Sequence, residues 1–207
     1  MPGQNITRHE QLRRGIVLEY LTLGWNLVEG IVALASGTAA GSVALVGFGV
    51  DSLIEMGSGG ILLWRLRSER RDRDVADLER RALRLVGISF LLLAGYVALD
   101  AITSLAARAA PEHSVPGISI AVLSLIIMPW LAYQKRQAAG SLNSGALHAD
   151  SRQSSLCAYL SAILLGGLLL NAAFGWWWAD SVAALLMVPL IAWEGVEAIQ
   201  GKTGCQC

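Results

Sequence analysis

Six separate apolar stretches, each of about twenty residues, run through this sequence, and that is the length a helix needs to cross the hydrocarbon core of a bilayer. Nothing else in the chain limits its fold so strongly. In lipid every backbone polar group must be satisfied within the protein, which leaves helices as the solution for spans of this length. The composition agrees: 54% of residues are hydrophobic and 15% are charged. The sequence predicts an all-α fold, a bundle of six transmembrane helices. Their expected ranges are 15–35, 42–64, 85–107, 117–134, 149–173 and 179–199. Residues 1–14 read as a cytoplasmic segment, 15–199 as the membrane domain and 200–207 as a short tail containing two cysteines. The first apolar run is already of spanning length, so it reads as a retained helix and not a cleaved signal. The formal net charge is zero, which removes the case for a nucleic-acid footprint.

Lysines and arginines set the orientation. Arg8, Arg13 and Arg14 precede the first helix, and eight arginines fall in the charged loop 65–84. Lys135 and Arg136 lie in the expected linker 135–147, and Lys202 follows the sixth helix. The turns after helices one and five, Ser36–Gly41 and Gly175–Trp178, carry no basic residue. The positive-inside rule therefore places both termini and both basic loops in the cytoplasm. Trp176, Trp177 and Trp178 then fall at the outer interface, where amphipathic aromatics are favoured. The expected location is the plasma, or inner, membrane.

Acids at bilayer depth are costly, about 2.5–3.5 kcal/mol each on insertion scales. Asp51 and Glu55 nevertheless sit mid-way along the second helix. Their i, i+4 spacing puts them on one face. Both side chains are too short to snorkel to the headgroups, and two like charges there repel each other. A bound divalent cation resolves both problems. The first helix carries Glu19, Thr22, Asn26 and Glu29, spaced three, four and three apart. That is a continuous polar stripe, which must face the bundle. Asn26 and Glu29 are candidates for an accessory or proton-relay role, with helix-packing contacts as the alternative. Glu19 lies near the cytoplasmic end and reads as solvated.

An internal echo extends the site to the fifth helix. Ser42, Ala44 and Leu45 recur 102 residues later as Ser144, Ala146 and Leu147. The same offset lays Asp51 over Gln153 and Glu55 over Cys157. Repeated halves are common in transporters, whose sites lie at the repeat interface. Gln153 and Cys157 are again i, i+4. They read either as two further ligands, an amide oxygen and a thiolate, or as packing residues. With the acids they make a four-ligand metal set of mixed hardness, in which sulfur argues against magnesium and calcium. Zinc comes first, with cobalt, cadmium and iron as alternatives.

Other polar residues carry weaker signals. His148 and Asp150 stand at the cytoplasmic mouth of the fifth helix and read as surface groups that could also help an ion in. Asp180 opens the sixth helix, where an N-cap or first-turn role is the simple reading. Glu194 and Glu197 read as solvated. Cys205 and Cys207 end the chain as Cys-Gln-Cys, either an unstructured end or a capture site for a soft ion. No nucleophile–base pair or His-Glu-x-x-His motif is present, so an enzyme is not expected and no cofactor is implied.

Taken together, Gly41-Ser42-Val43-Ala44-Leu45 leading to Val50-Asp51-Ser52-Leu53-Ile54-Glu55, then Ala146-Leu147-His148-Ala149-Asp150 and Trp178-Ala179-Asp180-Ser181-Val182-Ala183-Ala184-Leu185, resemble the cation diffusion facilitator family. The resemblance covers most of the chain. It implies export of divalent metal by a homodimer, against protons. It also implies a transport site joining two acids of the second helix, here Asp51 and Glu55, to a pair on the fifth. That second pair is usually His or Asp followed four residues later by Asp; here it is Gln153 and Cys157. The resemblance leaves no room after Gln200 for the family's cytoplasmic C-terminal domain, and Gly57-Ser58-Gly59-Gly60 could supply a dimer contact in its place. The expected function is proton-coupled divalent-metal efflux. The alternative is a membrane metal sensor or accessory protein that moves no ion.

Overall fold

The computed structural model describes residues 2–69, 76–109, 111–142 and 144–200. They form six helices: α1 (Pro2–Ala40), α2 (Val43–Glu69), α3 (Ala76–Ala107), α4 (Val115–Leu142), α5 (Gly145–Phe174) and α6 (Ala179–Gln200). Each contains a segment long and apolar enough to span a membrane, so the protein is a multi-pass integral membrane protein.

The helices are longer than their apolar runs. α1 begins at Pro2, well before position 15. It also runs through the expected turn at 36–41 as far as Ala40, with Ser36 and Thr38 donating their hydroxyls to the carbonyls of Val32 and Leu34 one turn back. Gly41, at φ 66°, then turns the chain into α2. α2 and α3 both extend into the charged stretch 65–84, and residues 70–75 of that stretch lie outside the described residues. α4 takes in Lys135–Leu142, which the sequence predicts to be linker. Ala138 and Ala139 are good helix formers and are buried there, and Lys135 has found partners.

Four helices form a ring in which α1 meets α2 and α4, and α5 meets α4 and α2. α3 and α6 pack closely on each other and lean on this ring through α2 and α5. The α3–α6 seam depends on two facing glycines. A Cβ on Gly87 would sit 2.6 Å from the Gly195 carbonyl oxygen, and a Cβ on Gly195 would sit 2.9 Å from that of Gly87. Small residues let the backbones approach this closely, which is how helices gain packing in lipid.

Polarity is inverted relative to a water-soluble bundle. Leu27, Val28 and Ile31 of α1 are exposed, while Glu19, Thr22, Asn26 and Glu29 on its opposite face are buried. Leu92, Leu99, Ile126 and Trp193 likewise point outward. Trp176 and Trp178 stack with ring centroids 5.0 Å apart just beyond α5, where an interfacial belt is favoured.

Candidate metal centre

The interior of the ring holds carboxylate oxygens without a hydrogen-bond donor among the described residues. Asp51 and Glu55, one turn apart on α2, are 0% and 5% exposed. Facing them from α5 is Cys157, fully buried. One ligand atom from each of the three lies within 4.8 Å of the others. Zinc bonds of about 2.0–2.3 Å would separate ligand atoms by about 3.3–3.8 Å, so closing on an ion requires modest side-chain rotation.

The surroundings orient this trio without neutralising it. Asn26 Nδ2 of α1 donates to Glu55 Oε2 at 3.0 Å. Glu29, one turn further along α1, accepts from Ser52 Oγ at 3.1 Å and lies 4.0 Å from the Cys157 sulfur. Both Asp51 oxygens and Glu55 Oε1 have no hydrogen-bond partner among the described residues. Buried carboxylate oxygens in that condition are costly, and a shared cation is the simplest group that would satisfy all of them. Two carboxylates and a thiolate suit zinc, cadmium or cobalt better than a hard cation.

Of the remaining residues singled out in the sequence, Gln153 is one turn from Cys157, and its Oε1 accepts from Ser58 Oγ at 3.0 Å. His148 is exposed in the first turn of α5. Cys205 and Cys207 lie outside the described residues. Gly59 of the Gly57–Gly60 run is packed inside the chain against Glu19 and Leu23 of α1, while Gly57 is exposed.

Three expectations change. Glu19 is not solvated: it is fully buried, 3.1 Å from Lys135 Nζ. Asp150 is not a free surface group, since its side chain is 12% exposed and lies 2.5 Å from the same ammonium. Glu194 is also buried, with neither oxygen partnered among the described residues, and it is near enough to Asp51 and Glu55 to interact with their charges. Asp180 stands in the first turn of α6, one of its two expected roles, and also reaches a neighbouring helix. It accepts from Ser42 Oγ and, at 3.3 Å, from Ala44 N, so it caps the N-terminus of α2 from the neighbouring helix. The signal for Glu194 was its place on the buried face of α6 with Met187, Ile191 and Ala198. For Lys135 it was the need of Glu19, on a stripe that faces the bundle, for a cation.

A family model described as the cation efflux transmembrane domain matches residues 20–200. Transmembrane protein 163 of Xenopus laevis is 25% identical over 188 residues, which cover 90% of this chain and 66% of that protein. The cation-efflux pump FieF of Shewanella oneidensis is 28% identical over 86 residues, 42% of this chain and 29% of the pump. The chain thus spans less than two thirds of the length of either relative. With its match running from α1 to the end of α6, the chain belongs to the cation efflux, or cation diffusion facilitator, family.

Proposed function

We propose that this protein exports a divalent transition metal, zinc first among the candidates, in exchange for protons across the plasma membrane. The observation that carries the reading is the buried trio Asp51, Glu55 and Cys157, whose ligand atoms converge while three of the four carboxylate oxygens lack a hydrogen-bond donor among the described residues. Family membership and the relative named as a cation-efflux pump support it.

In this reading the ion reaches the trio from the cytoplasmic end of the ring and displaces protons, because carboxylates and thiols coordinate in their deprotonated forms. Asn26 holds Glu55 in place for the ion, and Glu29 sits beside the thiol where a released proton can be taken up. Gln153 joins as a fourth ligand once its oxygen leaves Ser58. Rocking of the ring against the α3–α6 pair then turns the site outward, where protons weaken it and release the metal. His148 and Asp150 stand at the inner mouth, Cys205 and Cys207 gather the ion in the cytoplasm, and the protein works as a homodimer.

The test is zinc flux into proteoliposomes carrying a zinc-sensitive dye and a proton gradient. Asp51→Asn should abolish flux, and flux equal to wild type in that variant would exclude the site. A second reading, a metal-binding protein that moves no ion, is favoured by the Gln153/Cys157 pair, which lacks the histidine and aspartate usual in the family. Stoichiometric zinc binding without flux would select it.

A further inference from the structure

Lys135 has no part in the site just described, yet its ammonium is fully buried and touches two carboxylates on two other helices. Glu19 of α1 and Asp150 of α5 are held 3.1 and 2.5 Å from Nζ, which belongs to α4. Glu19 also lies across α2, where a Cβ on Gly59 would come within 2.5 Å of Glu19 Oε1. The cluster therefore engages all four helices of the ring at one level.

That level stands directly in line with the metal trio. Asp150 and Cys157 are seven residues apart on α5, and Glu19 and Asn26 seven apart on α1, so each pair is two turns, about 10 Å, apart on one helix face. Gln153 and Ser58 occupy the turn between. Polar side chains thus run from the Lys135 cluster, at the end nearer the chain termini, to the trio.

Charge gives the plug its meaning. Two acids share one ammonium in a buried layer, and Glu19 Oε1 has no hydrogen-bond donor among the described residues. A dication approaching the trio from this end meets a fixed positive charge that repels it, seated on the ligands that would attract it. Lysine has a long flexible stem and can swing its ammonium toward water while the stem stays against apolar neighbours. An arriving cation can then take over both carboxylates, so the acids are never left bare.

We propose that Lys135 is a tethered cation that gates the ion path: it occupies the Glu19–Asp150 pair, locks the four-helix ring shut at the inner end, and is displaced by the incoming divalent ion. The inference rests on the transport reading, but its test does not require transport. With Cys205 and Cys207 replaced by serine, Cys157 is the one remaining thiol, and it is fully buried. A membrane-impermeant cationic methanethiosulfonate, added in vesicles to the face that carries Lys135, reports whether the path to Cys157 is open.

Lys135→Met should speed modification of Cys157 about tenfold or more, the change expected when an opening equilibrium loses its lock. The swap Glu19→Lys with Lys135→Glu restores the charges and should return the slow rate. A methionine variant no faster than its parent, or a swap as fast as the methionine variant, would overturn the gate. If Lys135→Met fails to insert and fold, Glu19→Gln decides: it keeps the Lys135–Asp150 contact and should still be several-fold faster, and an unchanged rate counts against the proposal. Zinc should slow modification wherever Asp51 and Glu55 are kept. Faster modification without zinc protection leaves the gate standing and removes the metal trio, whereas zinc protection with no effect at Lys135 does the reverse.

Discussion

At the residue scale, buried oxygens differ in whether they have a partner. Glu55 has one oxygen on Asn26, and among the described residues its other oxygen and both of Asp51 have no donor. Asn26 therefore aims a ligand while being no ligand itself. Groups in that position set the orientation and basicity of the residue they hold, and their loss typically lowers metal affinity about 10–100-fold. Asn26→Leu should weaken zinc binding by about tenfold or more, measured by dye competition on purified protein, while Asn26→Gln, which keeps an amide donor, should retain more of it than leucine does. Equal affinity in the leucine variant would mean that Glu55 is positioned by other contacts.

At the scale of elements, the α3–α6 seam is the most exacting contact. Gly87→Val would force a side chain into the Gly195 carbonyl, where even a Cβ stands 2.6 Å away. Overpacking of this kind costs about 1–3 kcal/mol. The expected outcome is a clear fall in thermal stability in detergent. Gly95→Ala is the control on the same helix, with nothing within 4 Å of the added atom, and should leave stability unchanged. All six helices were readable from apolar length, and the acid pair on α2 from the cost of charge at that depth. The ends of helices were less readable, because a span's hydrophobicity stops at the membrane while its hydrogen bonding continues. Lys135 shows why: by composition it belongs to a polar linker, yet Glu19 and Asp150 make its burial tolerable. Glu194 was missed for a related reason. A carboxylate near the end of an apolar run reads as solvated unless the tilt and packing of α6 are known. The first-turn place of Asp180 is legible locally, whereas its partners Ser42 and Ala44 are distant in the chain and are not.

At the scale of the whole molecule, the interior carries an excess of acid. Glu19, Glu29, Asp51, Glu55, Asp180 and Glu194 are buried, and Lys135 is the buried base that accompanies them among the described residues. A fold built this way should be more stable with a cation inside it. Zinc at about 100 times its dissociation constant adds about 2.7 kcal/mol to the folded state. The protein should accordingly melt at a higher temperature with zinc, and the gain should shrink as pH falls and protons compete for the ligands. Asp51→Asn should show little of this gain, and a zinc shift undiminished in that variant would place the ion elsewhere.

The most direct test of the central claim, that Asp51, Glu55 and Cys157 share one divalent ion, is zinc K-edge X-ray absorption on protein whose Cys205 and Cys207 are replaced by serine. The spectrum should show one sulfur at about 2.3 Å with oxygen ligands at about 2.0–2.2 Å, and the sulfur shell should vanish in Cys157→Ser. A bound zinc surrounded by light atoms alone, with a spectrum indifferent to Cys157→Ser, would contradict it.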